Sequence, residues 1–536
     1  MQIIAKTIFI ILFIPCLSWA TTYYVDQDHP ESSDTNPGTE SLPWLTIQKA
    51  ADTIIAGDTV YIKEGIYNEQ VKPQNSGSPE NYIAYLAYPG DTVTIDGSGI
   101  PLPDWYGMFD ITGKSYIEVS GLRVINSTDT GIITWESDHI IIENNYTCNT
   151  VSSGIGVWIC SNIIIDGNEV ELACNDGLQE CITVADTDTF EVMNNHVHHG
   201  GPGTNGGEGI DAKEGSSNGL ICKNYVHDMD INRLGIYVDA WDKHTYNIDV
   251  YQNIVHNCAH GIAVASEAGG FLENVRIHNN IAYDNEEVGI WIANWSLAPQ
   301  QPMKDIFVIN NTLFNNGNEW GGGISVMNSD ADNVVIRNNI CSQNLLFQIV
   351  IEDAPQNLFV DHNLIDGFHG YPGEIFGSDS VAGDPVFVNS AEADFHLQLS
   401  SPAINSGSSV DAPNFDFDGN TRPQGYGYDI GAYEYVMTGV DERSGGIQSM
   451  YRLYQNSPNP FNSTTRISYC IPGSCYVTLA IYDISGRTVQ TLVNESQTAG
   501  SRSVNFDAGN LSSGVYFYRL KASNEFVETG TMILMR

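Results

Sequence analysis

One short motif, Gly-Ile-x-Val or a close variant, recurs through the middle of the chain at Gly131, Gly154, Cys181, Gly209, Gly235, Gly261, Gly289 and Gly323. The steps between them are 23, 27, 28, 26, 26, 28 and 34 residues. Each repeat holds short apolar runs whose side chains alternate with a period of two, which is strand spacing and not helix spacing. A repeat of this length made of strands predicts a solenoid, with coils stacked at the strand-to-strand distance of about 4.8 Å.

A second series runs out of phase with the first: Asn145, Asn168, Asn195, Asn224, Asn253, Asn280, Asn311, Asn339 and Asn363. Each follows or ends a strand-like run such as Ile140-Ile141-Ile142-Glu143-Asn144-Asn145. Asparagines at one turn of every coil can bond to those above and below only if the coils are parallel and in register, so they are read as structural. His196, His198, His227 and His256 recur beside this series and are read as part of the same turn stack. None has the helical His-x-x-x-His spacing of a zinc site.

Composition agrees with an ordered, strand-rich chain: 42% hydrophobic, 16% charged, and 51 glycines among 536 residues. Lys plus Arg is 22 against 65 Asp plus Glu, a net charge of −43. A surface of that sign repels phosphate backbones, so a nucleic-acid partner is excluded. Residues 1–20 place Lys6 before an apolar run and end in Ser18-Trp19-Ala20, the pattern of a secretory signal peptide. No other stretch is long enough to be a transmembrane segment. Nine cysteines then remain, an odd number at irregular spacing. Cys470 with Cys475, and Cys174 with Cys181, are the pairs close enough in sequence to bridge.

The fold class is therefore all-β, a parallel β-helix over 21–436. Ile47, Ala50, Ala51 and Ile54 have helical spacing and predict a capping helix at about 45–55. Ser401-Pro402-Ala403-Ile404 through Tyr435 reads as the closing segment. A polar linker at 437–450 leads to 451–536, where runs such as Val477-Thr478-Leu479-Ala480-Ile481-Tyr482 predict a small β-sandwich.

Alignment on the repeat glycine predicts the functional surface. Ile and Val point inward, so the second and fourth residues after glycine point outward and stack in columns. The second column reads Asp211, Tyr237, Ala263, Trp291, and the fourth reads Lys213, Asp239, Ala265, Ala293. Two residues further come Gly215, Trp241, Glu267 and Trp295. Acidic, basic and aromatic groups thus gather on four coils over an alanine floor. A Gly-rich loop, His198 to Gly207, supplies one rim, and Glu208, Glu214, Asp242, Lys243 and His244 flank the cluster. Lys213 is expected to face Asp239.

Two chemistries suit these residues. In glycoside hydrolysis, Asp239 with Glu267, or Asp211 with Asp239, sit as diagonal neighbours about 8 Å apart, within the range of roughly 6.5–9.5 Å used by inverting enzymes. Lys213 tunes one carboxylate, no cofactor is required, and Tyr237, Trp241, His244, Trp291 and Trp295 bind the sugar. This reading is placed first. In the alternative, Ca²⁺ held by Glu208, Asp211, Asp239 and Asp242 neutralises a uronate, and Lys213 removes the adjacent proton in β-elimination. Carboxylates around a lysine raise its pKa, so that route needs the metal. A third reading is a non-catalytic glycan-binding or adhesin surface.

Tyr23-Tyr24-Val25-Asp26, Asn36-Pro37-Gly38-Thr39, Thr46-Ile47-Gln48-Lys49-Ala50 and Gly57-Asp58-Thr59-Val60-Tyr61, together with the repeats, resemble secreted right-handed parallel β-helix proteins of the pectate-lyase-like superfamily. The resemblance covers about 22–436. It implies a right-handed helix, in a superfamily that contains lyases, glycoside hydrolases, epimerases, esterases and binding proteins. Some lyases of that superfamily carry their basic residue one coil beyond the calcium aspartates, where this chain has Ala263 and Ala265. Tyr451 to Asn462, Ala480 to Arg487 and Leu511 to Leu520 resemble the C-terminal sorting domain of type IX secretion cargo. That implies contact with secretion machinery and release or attachment at the cell surface. A monomer is expected.

Overall fold

A computed structural model describes residues 20–436, apart from 177–178, 203–205, 231 and 295–296, and most of 452–535. The expected signal peptide and linker lie outside the described residues, except for Ala20. The chain divides into two compact units, the first ending at Tyr435 and the second beginning at Val436.

The first unit is a parallel β-helix of three sheets, with 13, 13 and 10 strands. Strands of one sheet come from successive coils and pair parallel and in register. Ile210 faces Ile236, Ile236 faces Ile262, and Ile262 faces Ile290. The repeat Ile and Val side chains fill the interior: Ile236, Val238, Ile262, Val264, Ile290 and Ile292 are all fully buried.

The asparagine series forms an unbroken buried ladder. At each rung the Nδ2 of one Asn donates to the Oδ1 of the next at 3.0–3.1 Å, from Asn145 through Asn168 to Asn363. The backbone N–H donates to the same oxygen, as from Asn224 to Asn253 at 2.9 Å. A second, shorter ladder, unexpected from the sequence, joins Asn285, Asn316 and Asn344, where Gln348 takes the last amide.

The N-terminal end is covered by the helix Ile47–Thr53, which buries Ile47, Ala50 and Ala51. Thr46 caps it by accepting from the Lys49 N–H, and Glu69 accepts from the N–H groups of Ile47 and Gln48. The other end departs from expectation. Residues 401–435 do not close the last coil but run back along the side of the solenoid. Asn279 donates to the Phe415 carbonyl, Asn310 to those of Asp429 and Gly431, and Asn338 to that of Ser408. These asparagines have positive φ at the corner just before the ladder, so their amides point outward and hold the returning chain. The buried ion pair Arg422–Glu434, at 2.7 Å, fastens that segment.

In the second unit, the strands Arg452–Leu453, Thr464–Ile471 and Gly500–Asp507 form one antiparallel sheet. Cys475–Tyr482, Thr488–Gln497, Gly514–Ala522 and Phe526–Leu534 form another. Ile467, Tyr469, Leu479, Ile481, Phe506 and Leu520 form their shared core. None of the nine described cysteines forms a disulfide. Cys470 and Cys475 lie in different sheets, and the Cys174 thiol donates to the Gln179 carbonyl.

Candidate active site

The third sheet carries the cluster on the strands Ile182–Ala185, Ile210–Lys213, Leu234–Asp239, His260–Ala265 and Val288–Ile292. Register brings the outward column together: Asp211 faces Tyr237, Tyr237 faces Ala263, and Ala263 faces Trp291. Asp239 faces Ala265, and the two coils stay side by side past the strand ends, where Ala268 N–H donates to the Trp241 carbonyl at 2.6 Å. Glu267 is thereby held one coil on and two residues along from Asp239.

Two adjoining cavities open over these strands. The smaller, of about 330 Å³, is lined by Glu180, Glu208, Asp211, Lys213, Asp239 and Glu267, with Gln179, Gly206, Glu214, Tyr237 and Trp241. The larger, of about 690 Å³, is lined by Leu234, His260, Trp291 and Leu297 among others. Gly206, Glu208, Tyr237 and Glu267 border both. A compartment of acids therefore joins one with an aromatic wall.

Lys213 Nζ is paired with Glu180 Oε1 at 2.6 Å, and both side chains are almost wholly buried. Glu180 Oε2 accepts from the Thr183 hydroxyl at 2.8 Å. Burial alone would lower the Lys213 ammonium, but Glu180, Asp211 and Asp239 reverse this and hold it well above its ordinary range. Burial pushes Asp211 and Asp239 far above the usual carboxylate range, and the neighbouring charges, Asp239 beside Asp211 and Glu267 beside Asp239, add to the rise. Burial, with the Glu180 charge, lifts Glu208 to about 7. Glu267 is also raised by burial, opposed by a short hydrogen bond from the Tyr237 hydroxyl. Asp239 Oδ1 accepts from Trp241 N–H, whereas Asp211 Oδ1 is buried with no hydrogen-bond partner. Six carboxyl groups around one ammonium cannot all be ionised in a partly dry cavity. The rise at Glu208, Asp211 and Asp239 favours their protonated forms, and Lys213 stays an ammonium.

Of the residues singled out in the sequence, Glu208, Asp211, Lys213, Glu214, Tyr237, Asp239, Trp241 and Glu267 line the acidic cavity. Trp291 lines the larger one, stacked on His260 at 4.4 Å. Trp295 and residues 203–205 of the Gly-rich rim lie outside the described residues. Asp242 and His244 line neither cavity. The chain turns away after Trp241, leaving Asp242 exposed. His244 starts a strand of the first sheet, stacked on Phe271 at 4.9 Å and bonded to Glu273. Lys243 pairs with Asp186 outside the cavities. The partner of Lys213 is Glu180, not Asp239, and Glu180 is the residue that the column reading overlooked. It directly precedes Cys181 as Glu208 directly precedes Gly209, one place ahead of the repeat glycine.

Comparison with known proteins agrees with this architecture. Residues 23–225 match the family model described as "Pel9A-like, right handed beta helix region", and 182–299 match a right-handed β-helix region. The β-helix unit thus resembles pectate-lyase-like right-handed β-helix proteins. Residues 272–368 also match a disaggregatase-related model. The uncharacterized protein YwoF of Bacillus subtilis is 26% identical over 433 residues, which is 70% of this chain and 91% of that protein. Pectate lyase PEL9 of Emericella nidulans is 35% identical over 74 residues, 13% of this chain and 18% of that one. The structure titled as the complex of XylC with xylose superposes with a TM-score of 0.51 at 16% identity, covering 77% of this chain and 98% of that one. It shares the fold. Residues 457–535 match the secretion-system C-terminal sorting domain, which indicates export through the type IX system to the cell surface or beyond and contact with its machinery. Among the described residues no helix is long and apolar enough to cross a membrane.

Proposed function

We propose that this β-helix is a polysaccharide-cleaving glycoside hydrolase, with Asp239 as general acid and Glu267 as general base. The observation that carries this reading is the meeting of six carboxyl groups and Lys213 in one cavity that opens onto an aromatic-walled cavity. The larger cavity would hold sugar rings against Trp291, with Trp241 at the mouth of the smaller one. Asp239, kept protonated by burial, donates its proton to the glycosidic oxygen as that bond breaks. Glu267, the less buried of the two, takes a proton from the attacking water. Tyr237, whose own pKa burial holds high, donates to Glu267 Oε1 and leaves the other oxygen to orient that water. One coil step and one two-residue step separate the Asp239 and Glu267 backbones by about 8 Å, which suits inversion with a water between the carboxyls. The ion pair Glu180–Lys213 and the protonated Asp211 set the charge around the acid.

One observation favours the second reading. Asp211 Oδ1 is buried without a partner, and the acids outnumber the single lysine, so hard oxygen ligands are available for Ca²⁺. Glu208, Asp211 and Asp239 would hold the ion, and Asp242 is too exposed and displaced to join them. The ion would neutralise a substrate carboxylate. Lys213 would have to act as base against the pull of Glu180, which ranks this reading second. Incubation with neutral and acidic polysaccharides decides: new reducing ends without ultraviolet-absorbing unsaturated products support hydrolysis. Unsaturated products that vanish on chelation support elimination, and binding without cleavage supports a glycan-binding surface.

A further inference from the structure

The outward face of the second sheet, away from the groove strands, carries two columns rich in imidazole. Register places Glu169 opposite His196 and His196 opposite Tyr225, while Glu171, His198, His227 and His256 form the neighbouring column. The later members stack as flat rings: His227 on His256 at 5.0 Å and 3°, His256 on Tyr283 at 4.7 Å and 19°. That part is an ordinary turn-side stack.

His198 continues that stack on His227 at 5.3 Å and 7°, but on its coil a second imidazole is added. His196 and His198 share one strand, two residues apart and on the same face, with ring centres only 4.3 Å apart and tilted by 35°. Their ring nitrogens turn toward other ligand-type atoms. His198 Nε2 lies 3.4 Å from Glu169 Oε1, and His196 Nε2 lies 2.7 Å from His227 Nε2. One candidate ligand atom from each of Glu169, His196 and His198 falls within 4.8 Å of the others. A second set, Glu171, His198 and His199, meets the same condition. His198 is nearly buried, which fixes its ring. Zinc bound at about 2.0–2.1 Å by nitrogen and oxygen spaces its tetrahedral ligands roughly 3.3 Å apart. The His198–Glu169 separation of 3.4 Å already has that value, and the other ligand atoms of the set lie within 4.8 Å.

We propose that Glu169, His196 and His198, with His227 beside them, form a site for a divalent transition-metal ion of the zinc class. Imidazole and carboxylate together select such an ion over Ca²⁺, which takes oxygen alone. The helical spacing rule does not detect the site, because on a strand the shared face is set by i and i+2 and the third ligand comes from the adjacent coil. The ion would tie the coil of Glu169 to the coil of His196. His198 also begins the segment that leads to Gly206 and Glu208, so the ion would fix the base of the groove rim.

The test uses the full mature chain, stripped with a chelator and titrated with Co²⁺, whose tetrahedral complexes have intense visible bands. The expected result is one equivalent bound with those bands, displaced by Zn²⁺. Glu169→Gln and His196→Gln should each weaken binding at least about tenfold, and Asp211→Asn in the groove should leave it unchanged. Glu169 is half-exposed, so its variant is expected to fold even if the histidine variant does not. No Co²⁺ bands in the native chain, or equal affinity in Glu169→Gln, would overturn the proposal.

Discussion

Replacing Asn253 with Ala probes the device that holds the groove strands in register. The side chain is fully buried and makes four hydrogen bonds. Its Oδ1 accepts from Asn224 N–H at 2.9 Å and from Asn224 Nδ2 at 3.0 Å. Its Nδ2 donates to the Ile221 carbonyl at 2.9 Å and to Asn280 Oδ1 at 3.0 Å. At about 1 kcal/mol net for each bond, the loss is about 4 kcal/mol. The backbone N–H of Asn224, left buried and unpaired, sets a floor of about 1 kcal/mol by itself. Asn253 belongs to the coil that carries Asp239, and its rung partners Asn224 and Asn280 belong to the coils of Asp211 and Glu267, so turnover should fall with stability. Urea unfolding followed by circular dichroism measures the first effect. Asn68→Ala, which removes one exposed bond to the Asp96 carbonyl, is the control and should cost no more than about 0.5 kcal/mol. If Asn253→Ala costs less than about 1 kcal/mol, the ladder does not hold the coils, and the argument from register to site loses its basis.

Asp239→Asn should lower kcat by about 10²–10⁴-fold while leaving Tm nearly unchanged, since a desolvated carboxyl is replaced by a neutral group of equal size; calorimetry beside a reducing-end assay reads both. Glu208, held at about 7 in the fold, favours the folded state most below about pH 4, where it is protonated in both states, and loses that contribution as pH rises through 7. The native Tm should therefore fall more steeply between pH 5 and 8 than that of Glu208→Gln, and equal slopes would contradict the assignment. Trp291→Ala should raise KM with a smaller effect on kcat, because its ring, stacked on His260, walls the larger cavity; a pure kcat effect would count against a binding role. Chelation should leave turnover intact under the hydrolytic reading, and loss of activity restored by Ca²⁺ would favour elimination.

Much of this architecture is legible in the sequence because a solenoid repeats its own physics. Gly-Ile-x-Val fixes which side chains enter the core, and the asparagine period fixes the stacking, so the column Asp211, Tyr237, Ala263, Trp291 follows by counting. Counting fails where the chain leaves the repeat. Strict alternation assigns the residue before the repeat glycine to the interior, yet Glu180, Glu208, Leu234 and His260, which occupy that place, all line the cavities. Alignment of that column would have found the partner of Lys213. Asp242 and His244 sit past a turn, where adjacency in number no longer means adjacency in space. The return of 401–435 along the solenoid depends on corner asparagines whose amides point outward, a property of backbone φ that composition does not reveal.

Cleavage in heavy-oxygen water tests the central claim most directly. Carboxylate-assisted hydrolysis predicts one labelled oxygen at each new reducing end, in the inverted anomer, with the signal lost in Asp239→Asn. Products that carry no label and contain a carbon–carbon double bond would contradict it.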